Sequence, residues 1–271
     1  MAEGLPITFL SDYGDEDEFA GVCRAVIRQI APDAPLIDLT HGIGRQGIRH
    51  GALALANALP FCPPGVHLAV VDPGVGTARR PVAVTTKDEG RFLVGPDNGL
   101  LWPAIERFGG VARAIDVSGS PFRLEPVSAT FHGRDLFAPV AAHIALGARL
   151  DEAGEKFEPD ELTRLDLPSP EPMDGGVRAH ALFADRYGNV SLDLDSEGAE
   201  RAGLEPGGSV ELRAPDGSFQ ATWTATFADV AQGDLLLYVN ASGRMTLAAN
   251  GGSAAGLLDL DPDSPVDLRP L

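Results

Sequence analysis

The sequence predicts two dissimilar domains, an N-terminal α/β domain with a mostly parallel sheet and an all-β C-terminal barrel domain. Residues 1–150 alternate short apolar runs with amphipathic stretches, which is the pattern of strands joined by helices. Residues 176–271 show short strand-like runs separated by turn signals, which is typical of a barrel or sandwich. Residues 151–175 lose this periodicity and are rich in charge and proline, which predicts a linker.

The elements of the first domain follow from these runs in chain order. Predicted strands are Ile7–Leu10, Leu36–Asp38, Val66–Val71, Val82–Thr85, Phe92–Val94 and Ala112–Val117. Predicted helices cover residues 16–30, 47–59, 100–108 and a stretch that ends near 146. The turn at residues 87–90 lies between two strand-like runs, which indicates a hairpin and so an antiparallel addition to the sheet.

The second domain is predicted to consist of short strands. They cover Val177–Phe183, Val190–Leu194, Ser209–Leu212, Phe219–Thr226, Leu235–Val239, Met245–Ala248 and a last run near Val266. Turns are expected at residues 215–217 and 250–252, where Pro, Asp, Asn and Gly cluster.

Composition limits the classes of partner. The net charge of −18 disfavours binding to a nucleic-acid backbone and favours a cationic or zwitterionic small molecule. No apolar run reaches the length of a membrane span, and the N-terminus lacks the basic start and apolar core of a signal peptide, so we expect a cytoplasmic protein without membrane contact. Cys23 and Cys62 are far apart in sequence, which indicates buried thiols rather than a disulfide or a thiolate metal site.

The stretch from Val66 to Arg80 is the first candidate for a functional site. An apolar, β-branched run ends at Asp72, and the chain then turns through Pro73 and two glycines before Arg79. Asp72 is therefore expected at the carboxyl end of a strand, where α/β proteins bind ligands. The alternative is that Asp72 only forms a turn and that the arginines are a solvated strand end.

Two further loops favour the functional interpretation. Asp12 follows the first predicted strand, and His132 precedes the last helix of the domain. Loops at one edge of a parallel sheet lie close together, so Asp12, Asp72 and His132 are expected to converge on one pocket.

The motifs together resemble those of the S-adenosyl-L-methionine hydroxide adenosyltransferases, a family related to the fluorinases and chlorinases. The resemblance covers nearly the whole chain. Its motifs are Ser11-Asp12-Tyr13-Gly14 with Asp17, Asp72-Pro73-Gly74-Val75-Gly76-Thr77 with Arg79, Val94-Gly95-Pro96-Asp97-Asn98-Gly99-Leu100, Phe131-His132-Gly133-Arg134-Asp135, Asp185-Arg186-Tyr187-Gly188-Asn189, and residues 240–250.

This resemblance implies a fold, an assembly and a reaction. The fold is an N-terminal α/β domain with a C-terminal β-barrel. The assembly is a homotrimer in which each active site lies between the N-terminal domain of one subunit and the C-terminal domain of its neighbour. In the reaction, water displaces methionine from the ribose 5′ carbon, so that S-adenosyl-L-methionine, the small-molecule substrate, yields adenosine and L-methionine without a cofactor or a metal.

By the motif match, Asp72, Arg79 and His132 are the catalytic residues. Arg79 stays charged, so it can stabilise hydroxide and hold Asp72 but cannot act as a base. His132 is the natural proton acceptor near neutral pH. A histidine before a glycine at a helix start is otherwise more often structural, and the resemblance reverses that preference.

Substrate-binding residues carry over from the same motifs. Asp12 matches a ligand of the ribose hydroxyls, with helix capping as its alternative role. Asp17 and Asp185 match positions that hold the methionine end of the substrate. Asn189 and Phe227 match adenine contacts, made by hydrogen bonds and by stacking. Phe227 has barrel core as its alternative.

Departures from the halogenating relatives indicate water as the nucleophile. Those relatives carry Tyr at the positions of Asp72 and His132, and a serine that donates to the halide at the position of Gly133. In this chain a carboxylate at position 72 would face any halide, and the two negative charges would repel each other.

Two other functional classes remain open from the sequence. Asp12, Asp17, Asp72 and His132 have the oxygen and imidazole ligands of a divalent-metal site, as in a phosphohydrolase. Alternatively, the protein binds an adenosine-containing ligand as a non-catalytic sensor. Metal content would separate the first class from a hydrolase, and ligand stabilisation without turnover would identify the second.

Overall fold

The computed structural model describes residues 4–271, which divide into two compact units, one ending at Leu165 and one beginning at Asp166. The strands of the first unit are β1 (Ile7–Ser11), β2 (Leu36–Thr40), β3 (Val66–Val70), β4 (Pro81–Thr86), β5 (Phe92–Pro96), β6 (Val111–Asp116) and β7 (Glu155–Phe157). Its α-helices are α1 (Phe19–Ile30), α2 (Ile48–Ala58), α3 (Trp102–Arg107) and α4 (Ala138–Ala145).

The strands of this unit form one sheet in the order β2-β1-β3-β5-β4-β6-β7. The pairs β1–β2, β1–β3 and β3–β5 are parallel, whereas β4–β5, β4–β6 and β6–β7 are antiparallel. The predicted hairpin at residues 87–90 is the β4–β5 connection. The predicted α/β domain with a mostly parallel sheet is confirmed.

The core of this unit lies on both faces of the sheet, because successive strand residues point to opposite sides. Along β3, Leu68 and Val70 join a cluster with α1 and α4, while Ala69 joins a second cluster with α2 and α3. Strands buried on both faces have nearly continuous apolar sequences, as β3 does. The loops at the carboxyl ends of the parallel strands are left to carry polar side chains.

The second unit is a barrel. Its strands are β8 (Glu171–Met173), β9 (Gly176–Ala184), β10 (Val190–Asp195), β11 (Ser209–Ala214), β12 (Gly217–Trp223), β13 (Leu235–Val239), β14 (Arg244–Ala249) and β15 (Pro265–Pro270). Within residues 166–271 the order is β10-β14-β13-β12-β11-β15-β9-β8, and the additional β9–β10 pairing closes seven of these strands. The predicted barrel is confirmed.

The structure adds detail that the sequence pattern did not predict. Within the predicted linker, residues 155–157 form β7 at the edge of the first sheet and residues 171–173 form β8 beside β9. Strands of three residues are too short to show a periodicity. Helices α5 (Ser196–Arg201) and α6 (Ala254–Leu257) interrupt the predicted all-strand domain. In the part of the chain that the structure describes, no helix is both long enough and apolar enough to cross a membrane.

Candidate active site

Asp72 lies two residues beyond β3, where the chain makes a tight turn. Val75 N–H donates to the carbonyl of Asp72, and Thr77 N–H donates to the carbonyl of Gly74. Gly76 has φ +76°, and a Cβ on it would lie 2.6 Å from the carbonyl oxygen of Ala129. The turn therefore needs glycine there, and it brings Arg79 back towards Asp72.

Arg79 and Asp72 form a bidentate ion pair. Nε of Arg79 donates to Oδ1 of Asp72 at 2.8 Å, and Nη2 donates to Oδ2. The two side chains are only 9% and 6% exposed. The alternative that both arginines form a solvated strand end therefore does not hold for Arg79. Arg80 differs, since it pairs with Glu161 and lies over the ring of Phe157.

His132 joins this pair through Arg79. Nη2 of Arg79 lies 2.9 Å from Nδ1 of His132. A guanidinium only donates, so Nδ1 accepts, and the proton of the neutral ring is on Nε2. Burial, and then the charge of Arg79, lower the pKa of His132 below its ordinary value of 6.5. In this arrangement His132 is a hydrogen-bond donor through Nε2. Its predicted role as proton acceptor requires the hydrogen bond between Arg79 and Nδ1 to break, so that Nδ1 can take a proton.

Asp12 lies at the carboxyl end of β1, beside the same group of residues. Its Oδ2 accepts a hydrogen bond of 3.0 Å from the backbone N–H of Gln46. Burial is the main cause that raises the pKa of Asp12, and the charge of Asp72 raises it further. The first helix begins at Phe19, and its N-cap position is Glu18 rather than Asp12, so the alternative role in helix capping does not apply.

Two contacts whose partners the sequence did not predict hold the loop of Asp12. Gln46 adopts φ +60°, which is uncommon outside glycine, and that conformation aims its N–H at Asp12. Nδ1 of His41 forms a hydrogen bond of 2.7 Å with the buried hydroxyl of Ser11. The backbone carbonyl of His41 accepts a hydrogen bond from Gly14 N–H. Neither contact has a sequence signal, since each joins residues about thirty positions apart.

Asp17 is not brought into this group. It lies exposed in the loop before α1, and no hydrogen bond or ion pair among residues 4–271 joins it to Asp12 or Asp72. Its predicted role at the methionine end stays a prediction.

The second unit brings Asp185, Asn189 and Phe227 to one cavity of about 600 Å³, which Tyr187 and Tyr238 also line. The carboxylate of Asp185 accepts three hydrogen bonds: from Tyr187 N–H at 2.8 Å, from Asn189 N–H at 3.0 Å and from Asn189 Nδ2 at 2.8 Å. These bonds fix the Asn189 amide and leave its Oδ1 free of protein donors within the described chain.

Phe227 forms one wall of this cavity. Its side chain is 39% exposed, and its ring lies 5.3 Å from that of Tyr238 between centroids. A ring with this much exposed face is available for stacking, so the alternative that Phe227 is barrel core does not apply.

The residues of the first unit do not form a recognisable metal site. Between residues 4 and 271, no group of three or more His, Cys, Asp or Glu side chains is arranged to hold a metal ion. Nδ1 of His132 and both oxygens of Asp72 already contact Arg79, whose charge opposes a nearby cation.

Family models match both units. Residues 7–154 match the model of the SAM hydroxide adenosyltransferase N-terminal domain, and residues 179–267 match that of the SAM hydroxide adenosyltransferase C-terminal domain.

Individual relatives cover almost the full chain. An (R)-S-adenosyl-L-methionine hydrolase of Salinispora tropica is 45% identical over 97% of both chains. A protein of that name from Thermus thermophilus is 38% identical over 97% of this chain and 99% of its own. A fluorinase of an Actinoplanes species is 31% identical over 94% of both chains. The crystal structure of an uncharacterized conserved protein from Thermotoga maritima superposes with a TM-score of 0.87 at 32% identity, covering 97% of this chain and 99% of the other.

Proposed function

The chain belongs to the SAM hydroxide adenosyltransferase family, and we propose that it hydrolyses S-adenosyl-L-methionine to adenosine and L-methionine. The observation that carries this proposal is the buried set of Asp72, Arg79 and His132 at the carboxyl edge of the sheet. The hydrolases among the relatives support it, since those named above are 45% and 38% identical whereas the fluorinase is 31% identical.

The reaction is a displacement at the ribose 5′ carbon. The oxygen of a water molecule forms a bond to that carbon, the carbon–sulfur bond breaks, and its electron pair stays on sulfur as methionine leaves. Before the oxygen–carbon bond forms, the water gives one proton to bulk solvent, so that the attacking oxygen carries negative charge. The sulfonium is already a good leaving group, so the residues must mainly orient the water and stabilise its developing negative charge.

The arrangement of the three side chains suits this task. Arg79 is a permanent cation, and Nε2–H of His132 is a second donor; together they stabilise an anionic oxygen. Asp72 holds the guanidinium through two hydrogen bonds, so that Arg79 keeps its orientation. Preorganised donors cost no reorganisation when charge develops.

The remaining candidates bind the substrate. Asp12 accepts from the ribose hydroxyls, Asn189 accepts from the adenine amino group, and Phe227 stacks on the base. Asp185 fixes the Asn189 amide, and its Oδ2, which accepts only one hydrogen bond, stays a candidate to hold the methionine end. Asp17 is the candidate for the ammonium group of the methionine end.

We propose that no metal or other cofactor takes part. The pairing of Asp72 and His132 with a permanent cation supports this. The expected result is full activity after prolonged dialysis against a chelator, measured beside an untreated sample. Activity that is lost in chelator and restored by a divalent ion would support the metal-dependent phosphohydrolase class instead.

Product analysis tests the reaction itself. The protein is incubated with S-adenosyl-L-methionine in buffers with and without chloride or fluoride, and the products are separated by chromatography. Equal amounts of adenosine and methionine are expected in every buffer. A 5′-halogenated adenosine contradicts the choice of water as nucleophile, and a ligand-induced rise in Tm without any product identifies a sensor.

We also propose a cytoplasmic homotrimer whose sites each draw on two subunits. The support is the division of the candidate residues: Asp72, Arg79 and His132 belong to the first unit, whereas Asn189 and Phe227 belong to the second. The measurement is light scattering beside an activity assay during dilution. A monomer with undiminished activity per chain would contradict shared sites.

A further inference from the structure

Tyr13 is a polar aromatic residue at the candidate site that the proposed reaction does not yet use. It follows Asp12 after β1, and its ring centroid lies 5.9 Å from those of Phe19 and Phe131. The rings of Phe19 and Phe131 meet edge to face at 5.2 Å. Such aromatic pairs stabilise the folded protein by more than the burial of their apolar area alone. Since Phe131 directly precedes His132, this aromatic cluster connects the loop after β1 to the histidine.

The end of the Tyr13 ring lies against Gly133. A Cβ on Gly133 would be 2.1 Å from the Tyr13 hydroxyl oxygen and 3.1 Å from Cζ, and both distances are shorter than a Cβ contact normally allows. Gly133 is buried, and it is absent from the glycines with positive φ. Its backbone conformation is therefore open to other residues, and the demand for glycine comes from the Tyr13 hydroxyl.

Gly133 begins a π-helical turn, Gly133–Phe137, that His132 precedes. Such turns are frequent at functional sites, because the extra residue changes the direction of nearby side chains. Because Gly133 is the next residue after His132, a shift of Gly133 also moves His132. Such a shift changes the distance of 2.9 Å between Nδ1 of His132 and Nη2 of Arg79.

The Tyr13 hydroxyl is neutral and faces charged groups of the site. Burial is the main cause that raises the pKa of Tyr13; nearby Cys23 and the carboxylates of Asp12 and Asp72 raise it further, whereas Arg79 acts in the opposite direction. No hydrogen-bond partner for this hydroxyl is found within residues 4–271. Its contact with Gly133 is thus one of packing.

We propose that Tyr13 is a positioning residue for hydrolysis: its hydroxyl end packs on Gly133 and thereby fixes His132 against Arg79. The inference rests on the proposed function of the site. It explains why the residue after His132 is glycine although its backbone does not require one. A displacement of about 1 Å at a reacting group costs on the order of a hundredfold in rate, so this contact has a kinetic consequence.

Three variants test the contact: Gly133→Ala, Tyr13→Phe and the double variant. Gly133→Ala adds the methyl group that collides with the hydroxyl, and we expect kcat to fall about a hundredfold while KM changes less than about threefold. Tyr13→Phe removes the hydroxyl and leaves Cζ as the nearest atom, a contact that a small shift relieves. The double variant is therefore expected to recover at least about tenfold in kcat over Gly133→Ala.

The pH profile distinguishes positioning from a merely structural role. His132 is faced by Arg79, Asp72 and Asp135. In Gly133→Ala the Arg79–His132 bond is loosened, so the acidic limb of kcat is expected to move to higher pH, and in the double variant it is expected to return. Gly21→Ala is the matched control, since Gly21 in α1 has open space around it, and its kcat and profile should equal those of the wild type.

Each outcome decides the proposal. Wild-type kcat in Gly133→Ala overturns it, and so does a folded double variant with no more activity than Gly133→Ala. If Gly133→Ala alone does not fold, kcat and the acidic limb of the double variant are compared with those of Tyr13→Phe. Matching values support the contact. A kcat of the double variant far below that of Tyr13→Phe overturns it. A wild-type protein without hydrolase activity contradicts the proposed function instead.

Discussion

Arg79 holds a carboxylate and an imidazole at the same time, so the behaviour of all three residues depends on one guanidinium. Arg79→Ala and Asp72→Asn are expected to lower kcat by about 10² to 10³ with less than about a threefold change in KM, because the interactions they remove strengthen only as the water becomes anionic. Arg79→Ala also leaves Asp72 buried without its partner, which costs on the order of 3–5 kcal/mol in the free energy of unfolding. Steady-state kinetics and denaturant unfolding measure both effects. Near-wild-type kcat in both variants would place the chemistry elsewhere.

His132→Gln separates a hydrogen-bond donor from a proton acceptor. The Gln amide can accept from Arg79 through its oxygen and donate through its nitrogen, which reproduces neutral His132 with the proton on Nε2. If His132 is a donor, His132→Gln is expected to keep kcat within about a hundredfold of wild type, well above His132→Ala. Equal loss in both variants would instead favour the proton-acceptor role predicted from the sequence.

The same comparison gives a pH dependence. Burial and Arg79 lower the pKa of His132, so the neutral, active form persists below pH 6.5 and is lost as the pH falls through that lowered pKa. The wild-type acidic limb is expected below pH 6.5, and the part due to His132 should be missing in His132→Gln. An acidic limb in His132→Gln that is identical to the wild-type limb would assign it to another group.

Residues of the candidate site that belong to one sequence motif could be predicted. Residues that are far apart in sequence and contact each other only in the folded protein could not. Asp72 and Arg79 are seven residues apart in a Pro-Gly-rich turn, and their position after a buried strand could be derived from the sequence. The Gln46 N–H that holds Asp12 could not, because an unusual φ at a non-glycine residue leaves no mark in the sequence. The tautomer of His132 likewise follows only from the position of Arg79. The catalytic and binding roles themselves stay predictions until the variants are measured.

At the scale of elements, the turn after β3 and the loop before His132 approach each other closely at Gly76. Gly76→Ala is expected to lower both stability and kcat, because the residue has φ +76° and its Cβ would meet the carbonyl of Ala129. Gly90→Ala is the matched control: Gly90 has φ +58° in the β4–β5 hairpin with nothing within 4 Å. In both variants, backbone strain is expected to lower the free energy of unfolding by about 1–2 kcal/mol. Only Gly76→Ala should also lose activity. If Gly76→Ala and Gly90→Ala differ in stability but have the same kcat, the turn after β3 and the loop before His132 are not coupled in catalysis.

The elements that the sequence predicted well are those with a repeated pattern. The alternating apolar runs located β1 to β6, and the turn at residues 87–90 correctly predicted the antiparallel β4–β5 pair in a sheet that also contains parallel pairs. The π-helical turn at Gly133–Phe137 was not foreseen, since it differs from an α-helix only by one hydrogen-bond register, and five residues are too few to distinguish the two. Strand β7 was missed because three residues cannot show alternation.

At the scale of the whole molecule, the proposed trimer implies that two inactive chains can restore each other. Asp72→Asn damages the first unit, and Asn189→Ala with Phe227→Ala damages the second. If each site combines the first unit of one subunit with the second unit of another, equal co-expression of the two inactive chains is expected to give about a quarter of wild-type activity, because random assembly leaves about one site in four with both intact units. The assay is run at low substrate concentration, where the binding variant is weakest. Each inactive chain co-expressed with itself is the control. If each chain forms its own complete site, the mixed protein shows no more activity than the average of the two controls.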